Sequence, residues 1–146
     1  MVGMALLDVD SFPPSAAAFF RRRARAAGVS VTEQLRRELL GAASRRAPID
    51  SVVEFLLAHR PAFPDPEPDS DATVLARVYR LPTEALTRLY LRATAAAQPI
   101  TAYLRHELLT VARTPTVEDL LLEFQELPIP VDLAEVRAAI HYARAI

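Results

Sequence analysis

The chain has no cysteine, so neither a disulfide framework nor thiolate chemistry is available to it. Three glycines in 146 residues leave no room for a glycine-rich phosphate loop. Lysine is missing as well: all 17 basic residues are arginine, set against 18 acids for a formal charge of −1. That balance excludes a globally basic body that binds nucleic acid by displacing counterions, so any DNA contact has to be local. No apolar run approaches the roughly 18 to 20 residues of a bilayer helix, and Met1-Val2-Gly3-Met4 has no basic targeting region. A cytoplasmic chain is expected. His59, His106 and His141 are scattered without metal-ligand spacing, so no metal or cofactor is expected. Carboxylate pairs such as Glu118-Asp119 fall in an expected first helical turn, where they complement the helix dipole. Nothing in these residues points to an enzyme.

What the chain has is an apolar half, enough to bury a core, and an internal repeat. Leu35-Arg36-Arg37-Glu38-Leu39-Leu40 overlays Leu104-Arg105-His106-Glu107-Leu108-Leu109 at a displacement of 69 residues. Without gaps, the same displacement pairs Leu6 with Leu75, Val9 with Val78, Pro13 with Pro82, Arg23-Ala24 with Arg92-Ala93 and Thr32 with Thr101. It also pairs Ala43 with Ala112, Asp50 with Asp119 and Glu54-Phe55 with Glu123-Phe124. Chance matching in an alanine-rich helical sequence does not also align a proline, a threonine and a Glu-Phe pair.

Each repeat reads as a short strand followed by helices. Thr73 to Arg80 is rich in β-branched residues and partly alternating, and Leu81-Pro82-Thr83-Glu84 reads as a strand end and helix start. Helix A carries an apolar stripe, Ala16, Phe19, Phe20, Ala24 and Ala27 in the first repeat and Leu86, Leu89, Tyr90, Ala93, Ala96 and Ala97 in the second. Helix B buries Val31, Leu35, Leu39 and Ala43, or Ile100, Leu104, Leu108 and Ala112, and Ser30 with Glu33 forms a capping box at its start. Pro99 suits a first helical turn in the second repeat. A shorter third helix runs from Asp50 to about Ala58 and from Thr116 to about Leu127, with Asp50 and Thr116 as N-caps. These readings divide the chain into a first repeat with its third helix (1–58), an acidic, proline-studded linker (59–72), a second repeat (73–115) and C-terminal helices (116–146).

A unit of one strand and two helices cannot pair its own strand, so two of them are expected to combine within the chain. The expected fold is mainly α, an intramolecular pseudo-dimer with a two-stranded antiparallel ribbon over four helices and extra C-terminal helices. Asp8 and Arg77 hold equivalent strand positions, so pairing within the chain would match opposite charges.

Residues Gly28 to Leu39 resemble the turn and second helix of ribbon-helix-helix antitoxins, and Thr101 to Leu108 with Arg113 to Leu121 is similar to VapB-type antitoxins. The resemblance implies a toxin-neutralising protein whose ribbon reads operator DNA and whose C-terminal region wraps a PIN-domain ribonuclease toxin. Carried onto this chain, phosphate grips fall at Ser30, Val31 and Thr32 and at Ile100 and Thr101, and the groove-facing residues are Arg77 and Tyr79, or Arg80 in the alternative register. Toxin contacts fall on Leu120, Leu121, Phe124 and Leu127, and on Arg137, Ile140, Tyr142 and Arg144 in the tail, with Arg144 and Arg137 as the arginines that would enter an acidic site. Asp8 and Asp10 make the first repeat a poor DNA reader. A free-standing transcriptional regulator without a toxin, or a scaffold, are the other readings.

Overall fold

The computed structural model describes residues 7–61, 63 and 70–145. Among them there is no strand. A 3-10 turn, Val9–Ser11, leads into α1 (Pro14–Ala27), α2 (Val31–Ser44), α3 (Ile49–His59), α4 (Ser70–Tyr79), α5 (Thr83–Ala95), α6 (Ile100–Arg113), α7 (Val117–Gln125) and α8 (Leu133–Ala145). The expected two-stranded ribbon is therefore absent, and with it the ribbon-helix-helix fold.

The reason lies in which side chains are buried. Leu75 and Tyr79, four residues apart, enter the core, with Ala72 packed beside them, while Val78 remains exposed. That spacing of three and four residues is a helical stripe, and packing on α2, α5 and α6 overrides the β preference of Thr73, Val74 and Val78. In the first repeat Asp8 accepts from the Asp10 amide and closes the 3-10 turn, while Arg77 lies exposed on α4, so the two do not form the expected cross-strand pair. Leu6 lies outside the described residues, as does half of the proposed linker.

The repeat reappears as helices. Displacement by 69 carries the start of α1 onto that of α5, and both ends of α2 onto those of α6. α1 packs on α2 and α5 on α6; α1 also meets α6, α2 meets α5, and α2 meets α6. One core results, built around Phe20, Leu35, Leu39, Leu75, Leu89, Ile100, Leu104 and Leu108. The third helices cross over: α3 packs on α5 of the second repeat, and α7 on α1 of the first.

Local signals explain most boundaries. Ser30 accepts from the Glu33 amide at 3.1 Å, but the Glu33 carboxylate turns away to arginines, so only half of the expected box forms. Pro99 is the N-cap residue before Ile100, one position earlier than a first-turn proline. Asp50 does not cap α3 from outside; it lies in the first turn, and its carboxylate accepts from the Ala47 amide at 2.8 Å. Thr116 does cap α7, in a full box with Asp119.

α1 ends on Gly28 at φ 70°, where the amides of Gly28 and Val29 close onto Arg25 and Ala24. α5 ends with the same closure, Ala97 onto Thr94 and Gln98 onto Ala93, but Ala97 must hold φ 57° with a side chain. Ala97→Gly is expected to raise stability by about 0.5 to 1 kcal/mol, and Gly28→Ala to lower it by about 1 kcal/mol, measured by urea unfolding. An unchanged urea midpoint for Ala97→Gly would show that the left-handed position carries no strain.

Candidate protein-interaction surface

The crossed third helices are held by two equivalent ion pairs. Arg92 of α5 is only 2 % exposed and forks onto Asp50 of α3, Nε to Oδ1 at 2.8 Å and a terminal nitrogen to Oδ2 at 3.0 Å. Its remaining donors reach the Ala42 and Arg45 carbonyls at 2.8 and 2.6 Å, satisfying the C-terminal end of α2. Arg23 of α1 makes the equivalent fork on Asp119 of α7, at 2.8 and 2.7 Å, and spends its other terminal nitrogen on Glu38 at 2.7 Å. The Arg23 guanidinium also lies 4.5 Å over the Phe19 ring. Each aspartate thus serves its own helix start and the arginine of the other repeat at once.

The Arg92 hydrogen bonds hold the Asp50 carboxyl below the usual carboxylate range, against the opposing effect of burial. For Asp119, burial pushes upward, but Arg23 together with the Thr116 amide and hydroxyl outweighs it, and this carboxyl too is lowered. A carboxyl lowered on folding contributes stability above its unfolded value of about 3.9, and that contribution is lost as pH falls through the folded value. Stability should therefore drop from about pH 5 downward, and Asp119→Asn should flatten that profile while lowering stability at pH 6, as read by urea midpoints. Arg92→Met should cost about 2 to 4 kcal/mol by leaving Asp50 without its counter-ion and two carbonyls unpaired, a little below the full penalty because Asp50 keeps the Ala47 amide and 17 % side-chain exposure. Arg92→Lys should restore only a small part, because an ammonium cannot span the fork.

Held this way, α7 presents its far side to α8, which runs back antiparallel along it: Arg137 pairs with Glu118 at 2.6 Å, and Arg144 donates to the Pro115 carbonyl at 2.8 Å. α8 contributes no buried residue. Beneath it, a gap of about 490 Å³ is lined by Ala26, Leu121, Leu122, Leu133 and Ala134, with Arg137 and Glu118 at its edge. The end of α7 and the following loop leave Phe124, Leu127 and Ile129 at 36, 45 and 63 % exposure.

The sequence-derived residues separate accordingly. Tyr79 is buried, its hydroxyl donating to the Leu7 carbonyl at 3.1 Å and pushed up to about 12 by desolvation and by Asp8, so it cannot face a DNA groove. Ile100 is 1 % exposed in the core and offers no outward grip. Arg77 is exposed, while Arg80 lies at the end of α4 with Ser30, Val31, Thr32 and Glu33 in the neighbouring start of α2; Thr101 is half-buried on α6. Leu121 is buried under α8 rather than open, Leu120 and Ile140 are half-buried, and Phe124, Leu127 and Tyr142 are open. Arg137 and Arg144 are exposed but spent on Glu118 and Pro115. The densest basic run, Arg21 to Arg25, is consumed by ion pairs: Arg21 with Asp10, Arg22 with Glu126 and Glu123, Arg23 with Asp119 and Glu38, and Arg25 with Glu126. The two latches escaped the sequence reading, although Arg23/Arg92 and Asp50/Asp119 were already aligned in the repeat.

Compared with protein families, curated proteins and solved structures, the chain finds no match. Among the described residues, no helix is long and apolar enough to cross a membrane, and no cluster of three His, Asp or Glu is placed to hold a metal. His59 stacks on Phe55, with ring centroids 4.5 Å apart.

Proposed function

We propose that this chain is a non-enzymatic binding protein that holds a protein partner with its C-terminal layer, the end of α7, the loop after it and the outer face of α8. One observation carries the reading: Phe124, Leu127 and Ile129 stand open within six residues of one another, beside a helix none of whose side chains is more than half-buried. Grouped exposed apolar side chains mark binding surfaces, and a lightly seated helix can be recruited to a partner at small cost. The expectation of a PIN-domain ribonuclease as that partner is supported by the likeness of residues 101–108 and 113–121 to VapB-type antitoxins and by the outward position of Tyr142 and Arg144. Operator reading of that kind needs a two-stranded ribbon, and the described residues form none.

The test is co-expression with the product of the adjacent reading frame. Co-purification is expected for the wild-type chain, and Phe124→Glu with Leu127→Glu should weaken the complex at least tenfold without moving the melting temperature. If the partner is a ribonuclease, the wild-type chain should suppress RNA cleavage and Arg144→Gln should relieve that suppression. A complex unaffected by the Phe124 and Leu127 changes would refute this surface.

A further inference from the structure

Glu33 stands in the first turn of α2, with three guanidiniums around one carboxylate: Arg36 at 3.6 Å, Arg37 at 3.4 Å and Arg80, from the end of α4, at 3.5 Å. None of these contacts reaches the 2.7 to 2.9 Å of a close charge-assisted hydrogen bond, as Arg23 does on Asp119. Three cations share one anion, which leaves the cluster with an excess of two positive charges. Within it, the Arg36 Nε is shielded from solvent and has no hydrogen-bond partner.

The other half of the repeat shows how the same position looks when it is satisfied. Displacement by 69 carries Arg36 onto Arg105 and Ser11 onto Arg80. Arg105 donates to the Ser11 hydroxyl and carbonyl at 3.0 and 2.8 Å and lies 4.9 Å over the Phe12 ring. Where Arg105 has the Ser11 oxygens to itself, Arg36 shares Glu33 with Arg80, the residue that takes the place of Ser11 and is held at φ 50°, a left-handed conformation that is costly for a residue with a side chain. Two like charges thus depend on one carboxylate at a spot where the other half of the repeat makes a well-paired contact to neutral oxygens.

We propose that Arg36, Arg37 and Arg80 form a binding site for a doubly charged oxyanion of the phosphate class, either free phosphate or a phosphate monoester on a larger molecule. A dianion matches the excess of two charges, and guanidiniums suit its oxygens geometrically. Arg80 is 76 % and Arg37 52 % exposed, so the group can be reached from solvent. The chain as a whole has a charge of −1, which favours one compact anion over an extended polyanion.

The test is titration with inorganic phosphate against chloride at matched ionic strength and pH 7.5, read by calorimetry and by the melting temperature. The expected result is saturable one-to-one binding, weakened at least tenfold by Arg80→Gln or Arg36→Gln and unchanged by Arg113→Gln elsewhere on the surface. Glu33→Gln should tighten binding several-fold, because it removes the competing carboxylate, an effect no merely structural role predicts. Should Arg36→Gln fail to fold, the exposed Arg80→Gln and Arg37→Gln carry the same comparison. Phosphate acting no differently from chloride, or binding equally to Arg80→Gln, would overturn the proposal. So would duplex DNA binding with a salt dependence of several phosphates while inorganic phosphate does not bind, which would point to an extended polyanion interface.

Discussion

The bundle depends on one interaction made twice, an arginine of each first-type helix forked onto an aspartate of the other repeat's third helix. The forks Arg92–Asp50 and Arg23–Asp119 differ by the same 69-residue displacement at both ends. Buried charge is costly unless every donor and acceptor is used, and here almost every one is. The aspartates serve their own helix starts, through Ala47 and Thr116, and Arg92 serves the orphan carbonyls that end α2. A single carboxylate thereby ties a local event, starting a third helix, to a distant one, seating that helix on the other repeat.

This crossing makes the two repeats interdependent. Neither third helix packs chiefly on its own repeat, so an isolated repeat would leave an arginine without its acid and an apolar face without its cover. The duplication also explains where the molecule departs from symmetry. Arg23 spends its spare nitrogen on Glu38, whereas Arg92 turns to backbone carbonyls. Gly28 and Ala97 close equivalent turns with unequal ease. Residues freed from a shared duty have diverged, and Arg80, in one of the two proposed binding features, stands where Ser11 stands in the other half.

The duplication was legible in the sequence, as were the helices of both hairpins, because Phe20, Leu35, Leu39, Leu89, Leu104 and Leu108 recur at helical spacing and are all buried. What was misread was the segment before each pair. Thr73, Val74, Val78 and Tyr79 favour a strand by composition, while the burial of Leu75 and Tyr79 at a spacing of four belongs to a helix. Seven residues are too few for periodicity to decide between them, and the deciding term, contact with α2 and α6, lies far away in sequence. The latches were hidden for the same reason: aligned Arg23 and Arg92, and aligned Asp50 and Asp119, show equivalence but not that each arginine reaches across to the other repeat's acid.

Losing the ribbon changes which functional readings the residues can support. Tyr79, outward on a strand-based reading, is a core residue, so a groove-reading surface has no scaffold among the described residues. The apolar residues at the end of α7 do not depend on the ribbon in that way. Their position follows from the Asp119 latch, which fixes where α7 lies, and from the Pro128-Ile129-Pro130 turn, which ends the helical layer and sends the chain back along α7. A partner docking there would press on a helix anchored through Arg23 into the core, while α8, resting on one ion pair, one arginine–carbonyl contact and an imperfectly filled apolar seat, could move. The same latch that holds the bundle together thus gives its C-terminal layer a fixed floor and a light cover.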